Sequence, residues 1–139
     1  MVLTFFEPET GKVLKVPMIG TVAAGFPSPA MEYVEVSLDL NQLVVKNKNS
    51  TFYAQVDGQS MIDAGLNHGD ILVIDKALEP VNGKIAVCYI DGSFTVKRIK
   101  KYKGQCWLMP ANKEFEPIEV TEENNAIVWG IVTYVVKKM

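Results

Sequence analysis

A chain of 139 residues, 48% hydrophobic and 22% charged, is long enough to enclose one core of its own and too short for two. Its formal net charge is -2, from 14 Lys and Arg against 16 Asp and Glu, so no strong positive field is available to gather nucleic acid or anionic membrane. Direct nucleic-acid binding is therefore disfavoured except through a local patch. The opening Met1-Val2-Leu3-Thr4-Phe5-Phe6 lacks a basic start and meets Glu7-Pro8-Glu9 at once, and no later stretch reaches membrane-spanning length, which points to a cytoplasmic protein with no membrane partner.

Residues 1–38 read as an extended N-terminal arm. Four of the seven prolines, Pro8, Pro17, Pro27 and Pro29, lie there beside Gly11, Gly20 and Gly25, a density that interrupts helix and ladder pairing alike. Asp39, with Gln42 three positions on, predicts a short capped helix over 39–45 that joins the arm to the body. From Thr51 onward the runs at 51–56, 71–74, 84–90, 93–99 and 126–136 are rich in β-branched and aromatic residues, the composition of strands. Asp91-Gly92 is a strong hairpin signal because both turn positions need positive φ, and Asn82-Gly83 and Gly69-Asp70 mark further tight turns. Residues 39–139 thus form one mainly β body, a small, strongly bent sheet or half-open barrel. Internal repeats, low-complexity tracts and heptads are absent from the sequence.

Candidate chemistry begins at Asp57-Gly58-Gln59-Ser60-Met61, where a serine sits in a turn at the end of a strand. A serine hydroxyl is a poor nucleophile until a base takes its proton, and Lys97 in Phe94-Thr95-Val96-Lys97-Arg98-Ile99 is a candidate for that base. A lysine in water is almost wholly protonated at neutral pH, so such a base needs a site that disfavours its ammonium. Strand alternation puts Thr95, Lys97 and Ile99 on one face and Phe94, Val96 and Arg98 on the other, which turns Lys97 toward a partly apolar cleft. The backbone N–H groups of Gln59 and Ser60 are the candidates for an oxyanion hole. Val22-Ala23-Ala24-Gly25-Phe26-Pro27, upstream, is a small-residue segment of the kind such a dyad cuts.

Each residue also has a plain structural reading: serine after glycine suits a turn, and a lysine on a strand is ordinarily solvated. Spacing alone leaves both readings open. Asp63 and Asp70 suit capping or turn roles, and His68, the one histidine, sits beside a turn and is expected to be exposed. A histidine-rich metal site is impossible, and neither metal nor cofactor is expected. Cys88 and Cys106 read as reduced, buried thiols, and Trp107 and Trp129 as core or interface residues.

Four motifs follow one another in order: Ala24-Gly25-Phe26-Pro27-Ser28-Pro29-Ala30, Gly58-Gln59-Ser60-Met61-Ile62-Asp63, Gly69-Asp70-Ile71-Leu72-Val73-Ile74-Asp75 and Phe94-Thr95-Val96-Lys97. Together they resemble the LexA/UmuD family of self-cleaving serine peptidases over almost the whole chain, and the Gly25 to Ala30 stretch is similar to that of the UmuD branch. The resemblance implies Ser60 as nucleophile, Lys97 as general base and Ala24-Gly25 as the scissile bond, in a LexA/signal-peptidase-like fold. It also implies slow self-cleavage stimulated by the RecA filament on single-stranded DNA, which acts as a co-protease after DNA damage. The product is then expected to form a homodimer and to serve a UmuC-type translesion polymerase as accessory subunit in SOS mutagenesis.

Three other readings compete. A LexA-type repressor would place a DNA-binding helix-turn-helix before the cut, where the 24 residues read as a proline-interrupted arm. A type I signal peptidase shares the serine-lysine chemistry but needs a membrane anchor. A non-catalytic polymerase-binding module would keep Ser60 and Lys97 as structural residues only.

Overall fold

The computed structural model describes residues 2–8, 11–14, 16–18, 36–58, 64–110 and 116–139. The β-branched runs form the strands expected of them: β4 (Thr51–Asp57), β5 (Ile71–Asp75), β6 (Ile85–Ile90), β7 (Ser93–Tyr102) and β10 (Ala126–Val136). With β1 (Val2–Phe6), β8 (Gln105–Met109) and β9 (Ile118–Glu119) they build one antiparallel sheet in the order β1-β4-β5-β10-β6-β7-β8-β9. β2 (Val16–Met18) and β3 (Val36–Leu38) pair separately as a second, two-stranded sheet. The mainly β, bent-sheet architecture is therefore the one the sequence predicts.

Five strands, β1, β2, β3, β8 and β9, lie outside the runs expected from the sequence. Val2–Phe6, which fell within the expected extended arm, pairs along its full length with β4, from Val2↔Asp57 to Phe6↔Tyr53. β7 runs on to Tyr102 and turns into β8 through Lys103-Gly104, both at positive φ (49° and 76°). This turn repeats the geometry of Asp91-Gly92 (49° and 82°), the hairpin that the sequence announced. Lysine is an uncommon residue for the first position, which is why the second hairpin carried a weaker signal.

The sheet is strongly curled. In a flat sheet β1 and β7 would lie roughly 24 Å apart, five strand spacings away, yet the rings of Phe5 and Phe94 are 4.8 Å apart between centroids. Trp129 of β10 packs against both rings, 4.9 Å from Phe5 and 5.6 Å from Phe94. Beneath these rings Ala54, Val56, Leu66, Leu72, Ile74, Val87, Val96 and Val132 form the first core. A second core, Ala86, Cys88, Ile99, Leu108, Ala126 and Ile131, lies on the opposite face, as the alternation of Ala86, Val87 and Cys88 along β6 requires.

β10 serves both cores because it is bulged. Its register against β6 shifts between Val128 and Gly130, so Ala126 and Val128 face the second core before the bulge and Ile131 faces it after. Gly130 is required there by close approach, since a Cβ on it would lie 2.5 Å from Ile74 Cγ2. Helix α1 (Leu40–Val44) forms as expected, with Asp39 Oδ1 accepting from the N–H groups of Asn41 at 2.9 Å and Gln42 at 3.3 Å. Among the described residues no helix is long and apolar enough to cross a membrane.

Candidate active site

Lys97 lies in the middle of β7, opposite Ala86 of β6, and is half-buried. Its strand position gives it the parity of Ile99, so it belongs to the face that carries the second core, while Arg98 on the other parity is exposed. The expectation of a partly apolar setting for this lysine rests on that alternation, and the strand keeps it. Arg98 reaches back to the turn before β6, its guanidinium donating to the Gly83 carbonyl at 2.8 Å.

Cys88, registered opposite Thr95, is a polar neighbour on that face. The thiol is completely buried and donates to the Ala86 carbonyl across 3.7 Å. Burial pushes its pKa up to about 12, only partly countered by the positive charge and backbone N–H of Lys97, and reinforced by Cys106. At neutral pH it is therefore a neutral SH group, so Lys97 has beside it a compact group without charge. Both cysteines are free thiols, Cys88 buried and Cys106 half-buried.

β4, the strand that leads toward Ser60, lies beside β1, and curling of the sheet brings β1 against β7. β4 ends at Asp57, and Gly58 follows with a φ of 105°. Gln59, Ser60 and Asp63 lie outside the described residues, as do Ala24 and Gly25, so the structure brings none of them into measured relation with Lys97. What it does define is how the end of β4 is tied to the residues that lead into β5. Val56 N–H donates to the Asp70 carbonyl and Gly69 N–H to the Val56 carbonyl, both at 2.8 Å.

Asp70 holds that tie from inside. Only 5% exposed, its carboxylate accepts the Asn67 N–H at 2.8 Å and the ammonium of Lys137, just past the end of β10. Burial alone would raise its pKa, but the hydrogen bonds from Lys137 and Asn67 and the charge of Lys137 outweigh it and hold the carboxyl below its ordinary value. The turn role read from sequence is thus present, while the Lys137 contact, spanning 67 residues, had no local signal to announce it. His68 is exposed, as expected; its Nδ1 accepts the Gly58 N–H at 3.3 Å and lies 3.1 Å from Asp57 Oδ1.

At the level of architecture, these features define a curled antiparallel half-barrel with a half-buried lysine on an inner strand. Comparison with known proteins makes the class specific. Residues 17–133 match the family model described as Peptidase S24-like. Protein MucA of Salmonella typhimurium is 36% identical over 137 residues, covering 96% of this chain and 93% of MucA. Protein ImpA of the same organism is 38% identical over 121 residues, covering 83% of this chain and 78% of ImpA. The LexA repressor of Mycolicibacterium vanbaalenii is 42% identical over 124 residues, covering 89% of this chain but 52% of the repressor. The chain belongs to the Peptidase S24-like family, a family of self-cleaving serine peptidases.

Proposed function

We propose that this protein cuts its own arm between Ala24 and Gly25 with a Ser60-Lys97 dyad. The Ser60 hydroxyl attacks the Ala24 carbonyl as Lys97 takes its proton, and the N–H groups of Gln59 and Ser60 hold the oxyanion. Lys97 then returns the proton to the departing Gly25 amine, and water, deprotonated by the same lysine, hydrolyses the Ser60 ester. The observation that carries this reading is the half-buried placement of Lys97 on an apolar strand face, in a chain whose family is one of serine peptidases.

The remaining 139 - 24 = 115 residues would act as a homodimeric accessory subunit of a UmuC-type translesion polymerase during SOS mutagenesis. Support for this finer role comes from the Gly25-Phe26-Pro27-Ser28-Pro29-Ala30 segment and from similarity to MucA and ImpA across most of the chain. The RecA filament would stimulate the cut by favouring the arm's productive placement, supplying no catalytic group. A tethered substrate is always nearby, so the rate depends on how often it is correctly seated and on whether the lysine is neutral.

Intact-mass measurements over time, with and without activated RecA filament, test the proposal. The wild-type chain should lose residues 1–24, faster at alkaline pH, while Ser60→Ala and Lys97→Ala stay whole. Cleavage that persists in Ser60→Ala would remove the dyad. A wild-type chain that stays intact even with the filament would leave a non-catalytic polymerase-binding module as the better account.

A further inference from the structure

The modest net charge conceals an uneven distribution. Between Asp91 and Glu114 the sequence has no acidic residue, yet six of the fourteen basic ones fall there: Lys97, Arg98, Lys100, Lys101, Lys103 and Lys113. The rest of the chain holds 14 - 6 = 8 basic residues against all 16 acidic ones. Much of this basic segment is the β7–β8 hairpin, and its geometry sorts the side chains. Ile99 and Leu108 pair across the strands and are buried in the second core. The next pairs on the opposite parity, Lys100↔Trp107 and Tyr102↔Gln105, therefore share the other face.

On that face lies an open groove of about 540 Å³ lined by Lys100, Tyr102, Trp107, Met109 and Pro117, together with Glu116. Tyr102 is 58% exposed, although a tyrosine ring has much to gain from burial. The Lys103 ammonium hovers 5.4 Å from the centre of that ring. Two aromatic rings beside two exposed cations match the two parts of an unpaired nucleotide, a flat base and a phosphate. Glu116 and Glu119, the latter opposite Trp107 on β9, make the β9 side acidic and steer phosphate toward the Lys100 and Lys103 side.

We propose that this face of the β7–β8 hairpin binds single-stranded nucleic acid, with bases stacked on Tyr102 and Trp107 and phosphates on Lys100 and Lys103. Duplex is disfavoured because rings lying on a sheet reach only bases that are not already stacked and paired. An apolar peptide could occupy the groove, but it would give the surrounding cations nothing to neutralise. The site uses neither Ser60 nor Lys97, so it stands apart from the self-cleavage proposal.

The test is fluorescence anisotropy of a labelled 15-nucleotide oligo-dT titrated with the full chain carrying Ser60→Ala, which keeps the arm in place. Binding should weaken as salt rises, with a log-log slope of about -1.4 for two neutralised phosphates. Tyr102→Ala should weaken binding about fivefold or more, and Lys100→Glu with Lys103→Glu should weaken it further. Equal unfolding midpoints for the variants show that the fold is intact, and a duplex of the same length should bind more weakly. Absence of binding at 50 mM salt, salt-insensitive binding, or binding untouched by these exposed substitutions overturns the proposal and leaves the groove to a peptide.

Discussion

The two faces of the curled sheet are packed from different materials. The first core is wholly apolar, with Leu72, Ile74, Val87 and Val96 fully or almost fully buried and the rings of Phe5, Phe94 and Trp129 closing over them. The second is smaller and admits polar chemistry: Cys88 lies within it, Cys106 packs against it, and Lys97 shares its face. The apolar layer on one side, with the Lys76 ammonium 4.8 Å from the centre of the Trp129 ring, packs the strands together. The other side is then able to hold a lysine in a half-buried position without unfolding the sheet. Reactive groups on a rigid strand are held more closely than groups on a loop.

Large-to-small substitutions are the strongest way to break this comparison. Ile74→Ala and Ile99→Ala each remove a buried side chain, one from each core, and each should cost about 2–5 kcal/mol in denaturant unfolding. Ile99 lies two residues from Lys97 on the same face, so its loss should also slow self-cleavage under conditions where the chain remains folded. Ile74→Ala, matched for residual stability, should leave the cleavage rate closer to wild type. Equal slowing in both would mean that the two faces are not functionally distinct.

Gly130→Ala tests the strand that joins the cores. Its new methyl would lie 2.5 Å from Ile74 Cγ2 beside the bulge, so either the side chain or the strand must move. Overpacking of this kind should cost about 1–3 kcal/mol. Combination with Ile74→Ala, which removes the obstructing atom, should cost less than the sum of the two single changes. Simple additivity would show that the backbone, not Ile74, sets the constraint.

Much of this division was legible in the sequence. Alternation in Phe94 to Ile99 separated the Lys97 face from the Val96 face, and Asp91-Gly92 fixed the hairpin that sets β7 against β6. Asp39 announced its helix because capping is local. Long-range pairing was not legible. Val2–Phe6 has no feature that selects β4 as its partner, and Asp70 gives no sign of Lys137 across 67 residues. The parity change at Trp129 was hidden too, since a bulge breaks the alternation from which faces are read. Of the site, the position of Lys97 was readable, whereas its buried thiol neighbour depended on the pairing of β6 with β7.

Changes of pH act in opposite directions on the buried carboxylates and on the buried thiol. Asp70 and Asp75 are buried carboxylates held below their ordinary value. In Asp75, burial opposes the shift while Ser50, Asn47 and the Ala77 N–H drive it. Folding therefore draws on their ionised forms: the contribution is complete above the unfolded value of about 3.8 and is lost as pH falls through the lower folded values. Asp70→Asn should remove much of the acid sensitivity and cost about 1–3 kcal/mol at neutral pH. Cys88 acts at the other end. Its folded pKa of about 12 against an ordinary 9.0 leaves the unfolded chain with fewer protons in that interval, so stability falls as pH rises from 9 to 12. Cys88→Ala should flatten that alkaline slope; an unchanged slope would assign it to other groups.

The smallest expected effect concerns the clasp outside both cores. Asp39 caps α1 through one carboxylate oxygen and accepts the Leu14 N–H at 3.0 Å through the other, tying residues 11–14 to the helix. Tyr53 of β4 joins the same clasp, its hydroxyl donating to the Asn41 side chain at 2.6 Å. Loss of a cap alone costs about 1 kcal/mol, and Asp39→Asn keeps an acceptor for it while discarding the charge. Asp39→Ala should therefore lower stability by about 1 kcal/mol and Asp39→Asn by less, with hydrogen exchange quickening at Asn41 and Leu14 in the alanine variant. Exchange that quickens at Asn41 but not at Leu14 would show that the segment before β2 is held by something other than this carboxylate. The clasp would then be a helix cap and no more.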